Sequence, residues 1–449
     1  MNPEFRRNVL LELTIHRLVA MPLILLLLYG AAGLVGDGGA VSPVAMFVIT
    51  LLLVAWGSRL AADSVLGEVA GRTWDSQRMS ALGPWSMSWG KLLGSTVFVW
   101  YGAGLSIPAA LYSPDADTAN LLRLLLMGLF SQVMALFASL VIQRLRPERL
   151  RFHVTQAQLV GLVGAVFMWN ILDWRHTRVV FWYDFSFGYG EFAFVSGLIF
   201  AAWGCLGIFR LMRGELQFRC WPVGWTAFTL FCAVYVAGFM SSRLGDFASL
   251  NSGQEFLAKL FVAHIVIAVL TWMAAFAEPK GIVRMRRWRD ALGTGSPREL
   301  LRVMPSWAPG LTMALVTGLL ILSVSALSQD SLGKAADAFL NSGKGSAGAF
   351  SAAIFLFLVR DIGIIHFLTM DGRAKRPLLS ALVYFAVLYG ILPVIVFSLG
   401  LEAVAPALIP SPVGHPVVAI LPVLLQLGLI GGLIGWRWTR LARALGAAG

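Results

Sequence analysis

Residues 42–60, SPVAMFVITLLLVAWGSRL, form an apolar run with a single charge, at Arg59. A run of this length crosses a hydrocarbon core of about 30 Å as an α-helix. Similar runs recur along the 449 residues, which are 58% hydrophobic and 13% charged, with a mean hydropathy of +0.77. Soluble globular proteins carry about twice that share of charged residues. The sequence therefore predicts an all-α polytopic membrane protein.

We predict about twelve transmembrane helices in two six-helix halves, with both termini cytoplasmic. The apolar runs set the limits of each span to within several residues. The spans are 18–36, 42–60, 92–112, 119–143, 155–173, 191–211, 223–241, 256–276, 309–327, 347–367, 378–400 and 413–436.

The distribution of basic residues sets the orientation. With the N-terminus inside, 27 of the 35 Lys and Arg residues fall in inner segments and five in outer loops, and the other three lie within spans. Cytoplasmic loops of membrane proteins are enriched in Lys and Arg. This asymmetry accounts for the net charge of +12 without a nucleic-acid partner.

Each half repeats one layout of two spans, a long inner loop, two spans, a short basic inner loop and two spans. We expect an amphipathic interfacial helix over 1–17, a first half over 18–212 with inner loop 61–91, and a second half over 213–449 with inner loop 277–308. Parallel six-span halves are common in transporters, although regularly spaced helices also produce this layout by coincidence.

Residues that support catalysis or nucleotide binding are not grouped in the sequence. The six histidines are scattered without metal-ligand spacing, so no metal site is predicted. Residues 341–346, NSGKGS, resemble part of a P-loop but lack its first glycine and its final Ser or Thr. We expect a non-catalytic chain that holds no cofactor.

Polar residues inside the spans are candidates for a substrate pathway, although hydrogen bonding between helices explains them equally well. Arg360 and Asp361 are adjacent, so their side chains leave a helix roughly 100° apart and require different partners. They are either a structural ion pair or part of a substrate site. The candidates are Gln132, Gln156, Asn170, Arg360 and Asp361.

The inner loop after the second span holds the least membrane-like sequence of the first hundred residues, GRTWDSQRMSALGPWSMSWGK at 71–91. It resembles the segment E…GT…[DE]…L-x-PLSPW…GKLL of type-2 ABC exporter permeases, the membrane subunits of ATP-binding cassette transporters. The opening residues NPEFRRNVLLELTIHRLVAMP are similar to the N-terminal interfacial helix and first span of one group of these permeases. The resemblance covers about the first hundred residues. Its matching residues are Glu68, Thr73, Asp75, Leu82, Pro84, Trp85, Gly90, Lys91 and Leu92.

This chain departs from the family pattern at three places. The usual run of acidic and basic residues before the glycine-threonine pair is reduced to Glu68. The glycine that the family has before the threonine is Arg72 here, and the Pro-Leu-Ser-Pro element is reduced to SALGPW at 80–85.

The resemblance implies that this segment is a coupling helix that docks on a nucleotide-binding subunit. A short helix with Trp74 and Trp85 as anchors and with Arg72, Asp75 and Arg78 at its rim fits a groove of such a partner. The resemblance further implies an export function, two partner ATPase subunits that bind ATP and magnesium, and a location in the bacterial cytoplasmic (inner) membrane. The substrate is an unidentified small molecule or lipid. The implied coupling residues are Glu68, Arg72, Thr73, Trp74, Asp75, Arg78, Pro84, Trp85 and Lys91.

The inner loop of the second half is the matching candidate contact for the second ATPase subunit. A basic anchor to anionic lipids explains its charges equally well. Its candidate residues are Arg284, Arg286, Arg287, Arg289 and Asp290.

Two other functions remain open. A secondary carrier of the major facilitator type shares the six-plus-six layout, but its G-x-x-x-D-[RK]-x-G-[RK]-[RK] element is missing. An integral membrane enzyme acting on lipid-linked substrates requires a carboxylate or histidine cluster that the sequence does not present.

Overall fold

The chain is built almost entirely of helices in a computed structural model. The model describes residues 2–35, 39–80, 82–113, 117–145, 153–172, 179–218, 222–240, 252–278, 282–295, 297–327, 347–369, 377–411 and 416–446. The helices of the first part of the chain are α1 Pro3–Glu12, α2 Ile15–Leu34, α3 Val41–Ala70, α4 Trp74–Arg78, α5 Pro84–Ser95, α6 Val97–Ala110, α7 Thr118–Leu145, α8 His153–Leu172 and α9 Tyr189–Glu215.

The remaining helices follow α9. They are α10 Val223–Ala237, α11 Ser252–Ala277, α12 Ile282–Thr294, α13 Pro297–Val303, α14 Ala308–Leu327, α15 Ala347–Thr369, α16 at 377–398, α17 Ala405–Leu408 and α18 Pro416–Gly446.

Within these ranges, ten helices are long and apolar enough to cross a membrane. The pair α5 and α6, bent by 51°, brings the number to eleven if it is one broken span. The chain is therefore an all-α, multi-pass integral membrane protein. Every predicted span overlaps one of these helices or α10, which has only 15 residues, and the count of twelve stays a prediction.

A π-helical segment at Leu51–Trp56 interrupts α3. Such a segment breaks the regular pattern of backbone hydrogen bonds, and unpaired backbone groups are costly in a bilayer. Two glutamines supply partners here, because Gln132 Nε2 donates to the Leu53 carbonyl over 3.0 Å and Gln158 Nε2 donates to the Ala55 carbonyl over 3.0 Å. Both side chains stabilise the packing of α3 against its neighbours.

The chain divides into two compact units. One comprises Met1–Val180 and Phe187–Cys220, and the other comprises Phe181–Ser186 and Trp221–Gly449. In the first unit α3 and α7 are among the most buried of the span-length helices, and in the second unit α15 is. The division lies eight residues beyond the predicted boundary of 212/213, because α9 continues to Glu215, which pairs with Arg144 of the same unit.

A two-stranded hairpin, β1 Val179–Trp182 and β2 Phe185–Gly188, precedes α9. The sequence predicts no strand, so the hairpin is an addition to the predicted all-α fold. Its turn holds Tyr183 at φ 52°. The Tyr183 amide donates to the carbonyl of Gly238 over 2.6 Å, which attaches the turn to the end of α10. The side chains of Trp182 and Tyr183 also donate to α10, to the carbonyls of Tyr235 over 3.0 Å and Val234 over 2.9 Å.

The N-terminal helix is shorter than the predicted 1–17 segment. Asn2 caps it, because the Asn2 side chain accepts the amides of Glu4 and Phe5. The helix ends at Glu12, and α2 begins three residues later at Ile15. This break separates α1 from the first span and lets it pack along α5.

Candidate functional site

The segment that resembles a coupling helix begins where α3 ends. Arg72 has φ 57°, a left-handed conformation that favours glycine. The chain then turns, and the Thr73 amide donates to the Glu68 carbonyl over 2.9 Å. Arg72 occupies the position at which the resembled family has glycine. Arg72 therefore adopts the left-handed turn that a glycine would favour, although the residue itself differs from the family pattern.

Trp74 opens the short helix α4 and lies inside the protein. Its side chain is only 3% exposed and belongs to a buried cluster with Val65, Leu66 and Met87. The expectation that Trp74 anchors a partner subunit does not fit this position, because its ring is already covered by the chain's own residues. Trp74 instead fixes α4 to the rest of the first unit.

Several other side chains of this segment are exposed. Arg72, Asp75, Met79 and Trp85 are all exposed, and we call these four residues the α4 surface. Met79 is 82% exposed and Trp85 is 54% exposed. Two apolar side chains with charged neighbours are typical of a contact site for another protein.

Trp85 is held in place although it is exposed. Its ring lies edge-on to Trp89, with 5.4 Å between centroids, and edge-on to Phe209 at the same distance. Pro84 begins α5 directly before it, in the first helical turn where proline is favoured. The indole is therefore oriented before any partner arrives.

Arg78 connects α4 to α9. Its Nε donates to the Glu215 carbonyl over 2.9 Å, and one of its terminal nitrogens lies 3.5 Å from the Asp75 carboxylate. Arg78 is half-buried, so it holds α4 in position and presents only part of its side chain outward.

A group of charges centred on the buried Lys91 lies beside Trp74. Lys91 is 0% exposed, and its ammonium pairs with Glu68, lies 3.3 Å from the Glu4 carboxylate and donates to the Ser64 carbonyl over 3.1 Å. Arg7 completes the group with a 2.5 Å contact to Glu68. We call Glu4, Arg7, Glu68 and Lys91 the Lys91 cluster.

The Lys91 cluster corrects two expectations from the sequence. Glu68 and Lys91 were expected to contact an ATPase subunit, but each is occupied by partners within this chain. Lys91 also lies over the Trp74 ring, with 5.3 Å from its ammonium to the ring centroid. Two positive and two negative charges balance in the cluster, which joins α1, α3 and α5.

Two glycines let α1 approach α5 closely. A Cβ atom on Gly90 would lie 2.6 Å from the Glu4 Cβ, and one on Gly94 would lie 2.8 Å from the Asn8 Cβ. Asn8 Nδ2 donates to the Gly90 carbonyl over 3.1 Å across this contact. The spacing G-x-x-x-G, a known signal for close helix packing, was present in GKLLG and was not used. Glu4 had no signal of its own in the sequence.

The inner loop of the second unit contains α12 and α13. Arg287, Arg289 and Asp290 are exposed, and Arg286 is half-buried. Arg289 lies 3.1 Å from Asp290 and over the Trp438 ring, with 5.3 Å to its centroid. The side chain of Arg284 lies outside the described residues. The exposed charges leave both a protein contact and a lipid contact open.

The ends of this second loop are joined by a buried carboxylate. Glu278, at the end of α11, accepts the amide of Ser306 over 2.8 Å and its hydroxyl over 3.0 Å. Between them, Trp288 of α12 lies edge-on to Trp307 with 5.8 Å between centroids. The loop is therefore attached by a tryptophan contact, as α4 is by Trp74.

The candidate pathway residues of the first unit are not brought together. Gln132 is 0% exposed and holds the π-helical segment, so it lines no open pathway. Gln156 and Asn170 are exposed on α8, and the Asn170 amide donates to the Val166 carbonyl of its own helix over 2.8 Å. Packing accounts for Gln132.

Arg360 and Asp361 bond to each other, contrary to the expectation of separate partners. Arg360 Nε and Nη2 donate to one Asp361 oxygen over 2.9 and 2.8 Å. The arginine side chain is long enough to reach the neighbouring aspartate on the same helix. The roughly 100° between their Cα–Cβ directions therefore does not prevent the pair. Tyr389 accepts from Nη2 over 2.6 Å and donates to Asp361 over 2.5 Å. With Gln426, which accepts from Nη1 over 2.8 Å, these residues form the Arg360 cluster.

Among the described ranges, no group of three or more His, Cys, Asp or Glu side chains could hold a metal ion. Residues 341–346, the partial P-loop, lie outside these ranges.

Comparison with known proteins gives no relative, because no family model, no curated protein and no solved structure matches the chain.

Proposed function

We propose that this chain is the permease subunit of an ABC transporter, which forms the substrate pathway and is driven by separate ATPase subunits, in the export direction. The observation that carries the proposal is the α4 surface. It presents Met79 and Trp85 outward, at the place where the sequence resembles a coupling helix.

The composition of the α4 surface suits a protein partner. A tryptophan and a methionine at the centre of a contact supply most of the binding energy, while charged residues at the rim contribute less. Arg72 and Asp75 have opposite charges, so the surface is not a purely basic patch of the kind that binds anionic lipid.

The contacts that attach α4 to the neighbouring helices suit the transmission of force. Trp74 seats α4 in the buried cluster, and the Lys91 cluster joins α1, α3 and α5 beside Trp74. A partner that closes on ATP would displace α4 together with these helices and would bias the packing of the spans. Single exposed loops without such attachments would bend instead.

The complete transporter in this proposal contains one copy of this chain, with twelve spans in two six-helix halves and cytoplasmic termini, in the bacterial inner membrane. Two ATPase subunits bind ATP and magnesium, one at the α4 surface and one at the inner loop that carries Arg286, Arg287 and Arg289. The chain itself performs no catalysis.

Co-purification tests this proposal. A tagged chain extracted from its native membrane in mild detergent should bring down an ATPase with a P-loop, identified by mass spectrometry. Trp85→Ala combined with Met79→Asp should reduce that ATPase at least tenfold. Trp56→Ala is the matched control, because Trp56 is also exposed and edge-on to an aromatic ring. Equal ATPase recovery from the α4 variant and the control would contradict the proposal.

The Arg360 cluster favours a second candidate, an ion-coupled secondary carrier. Ionisable residues buried within a span commonly mark ion or substrate pathways. Transport by the purified chain in liposomes, driven by an ion gradient without ATP or ATPase, would support the carrier and exclude the permease.

A further inference from the structure

A cavity of about 440 Å³ lies beside the Arg360 cluster, between α15, α16 and α18 of the second unit. Aliphatic and aromatic side chains form most of its wall, and its polar lining comes from Arg360, Gln426 and Tyr384. Its volume falls within the range of pockets that bind small molecules.

The cavity is accessible from the apolar band of the protein. Leu425 and Leu429, which line it on α18, are 68% and 65% exposed. Its lining on α15 runs from Arg360 to Leu368, a rise of about 12 Å along a helix. A molecule dissolved in the hydrocarbon core could therefore enter sideways, and a largely apolar body fits the space.

The hydrogen bonds of Arg360 leave one donor unused. A guanidinium has five N–H groups. Two go to Asp361, one to Tyr389 and one, from Nη1, to Gln426. The second N–H of Nη1 has no hydrogen-bond partner among the described residues, although Arg360 is only 1% exposed. An unpaired donor in a buried site is costly, so an acceptor oxygen is favoured there.

The charge of the cluster is already balanced. The Arg360 guanidinium makes two hydrogen bonds to the Asp361 carboxylate within the same buried site. An acidic ligand would add an uncompensated negative charge, which is expensive to bury. A pure hydrocarbon would fill the cavity but leave the N–H unpaired.

We propose that this cavity binds an uncharged, largely apolar molecule through one oxygen acceptor, a hydroxyl or carbonyl group, which pairs with the free Nη1 N–H of Arg360. The proposal deepens the permease function, on which it rests, because it names the substrate class. Gln426 orients the guanidinium, since its own Nε2 donates to the Ala407 carbonyl over 2.7 Å and its Oε1 is thereby directed at Nη1.

Three matched probes separate the chemistries. Farnesol carries the hydroxyl, farnesene is the corresponding hydrocarbon, and farnesoic acid carries a carboxylate on the same chain. Radiolabelled farnesol should bind saturably to the purified, detergent-solubilised chain. Unlabelled farnesene should compete at least tenfold less well because it offers no acceptor to the N–H. Farnesoic acid should also compete at least tenfold less well, because its carboxylate would bury an uncompensated charge.

Two variants locate the binding site. Leu429→Trp fills the cavity without touching the charged groups and should abolish saturable farnesol binding. Leu424→Trp, on the same helix and 47% exposed but outside the cavity lining, should leave it unchanged. Arg360→Gln combined with Asp361→Asn removes both charges together and should bring farnesol down to the affinity of farnesene. Gel filtration establishes that each variant is folded.

Each contrary result overturns the proposal. Preferential binding of farnesoic acid would make the site anionic-ligand selective, and equal competition by farnesene would reduce it to a lipid-filled groove. Absence of saturable farnesol binding, or unchanged binding by Leu429→Trp, would show that the cavity is not a binding site for this class of molecule. The ATPase takes no part in this assay. A negative binding result would therefore contradict the ligand proposal but not the permease proposal, and a negative co-purification result would contradict the permease proposal but not the ligand proposal.

Discussion

The Lys91 cluster and the Arg360 cluster are both charge-balanced and both have a buried cation, but they connect different parts of the chain. The Lys91 cluster joins three helices whose charged residues lie as far apart in sequence as 4 and 91, and it supports an exposed surface. The Arg360 cluster is built on two neighbouring residues of α15 and borders a cavity. Charged groups therefore support the position of the proposed protein contact in one unit, and we infer that they prepare a ligand contact in the other.

The largest expected effect comes from breaking the Lys91 cluster. Lys91→Met removes the buried cation between the carboxylates of Glu4 and Glu68 and leaves them only the partly exposed Arg7 as a shared partner. Removal of one partner of a buried ion pair costs about 3–5 kcal/mol, so we expect a markedly lower thermal unfolding midpoint in detergent.

Arg17→Met is the matched control for Lys91→Met. Arg17 pairs with Glu12 at the surface, where both side chains are partly exposed, and such pairs contribute about 0–1 kcal/mol. Equal midpoints for the two variants would show that the Lys91 cluster carries no special stability.

The second prediction addresses the Arg360 cluster by a double-mutant cycle. Arg360→Gln alone leaves the Asp361 carboxylate buried beside a neutral amide and should cost about 2–3 kcal/mol of stability. Adding Asp361→Asn should recover at least half of that loss, because no charge then remains buried. If the two substitutions were simply additive in denaturant unfolding, the pair would not be coupled.

The third prediction tests how closely α1 lies on α5. Gly90→Ala places a Cβ atom 2.6 Å from the Glu4 Cβ and 2.9 Å from the Phe5 amide nitrogen. Overpacking of this kind costs about 1–3 kcal/mol, and limited proteolysis should cleave the N-terminal helix faster. Gly104→Ala, where nothing lies within 4 Å, should be neutral or slightly stabilising. Cleavage at equal rates would place α1 away from α5.

The smallest effect is expected at Arg72. Arg72→Gly relieves a left-handed backbone at the cost of a more flexible unfolded chain, so a net gain of about 0.5–1 kcal/mol is expected. Ser76→Gly, in the middle of α4, should instead lose about 0.5 kcal/mol because glycine is a poor helix former. Thermal midpoints that move in the same direction would contradict the turn assigned to Arg72.

Much of the fold follows from the sequence, because apolar length alone locates a helix that must satisfy its own backbone in a bilayer. The hairpin at 179–188 was missed, since two four-residue strands give little pattern and aromatic residues also suit a headgroup loop. The π-helical segment was missed for a related reason. Its glutamine partners lie on α7 and α8, far along the chain from Leu53 and Ala55.

The sequence indicates where a candidate partner contact lies, which stays a prediction, but it does not indicate how the side chains there are arranged. A charged, tryptophan-containing segment between two apolar runs indicates an inner contact, yet it does not tell which tryptophan faces outward. Trp74 lies inside the protein because it is the largest apolar side chain of a helix of only five residues. Burial of that side chain is what holds α4 against the rest of the first unit. The partners of Lys91 depend on Glu4, which becomes its neighbour only after α1 folds back along α5.

Photo-crosslinking from the α4 surface tests the central claim most directly. A photoreactive amino acid at position 79 in the full chain, illuminated in native membranes and analysed by mass spectrometry, should form its main adduct with an ATPase that has a P-loop. The same probe at position 47, where Phe47 is 67% exposed on α3, should label lipid only. Lipid adducts at both positions, with no ATPase at position 79, would contradict the account.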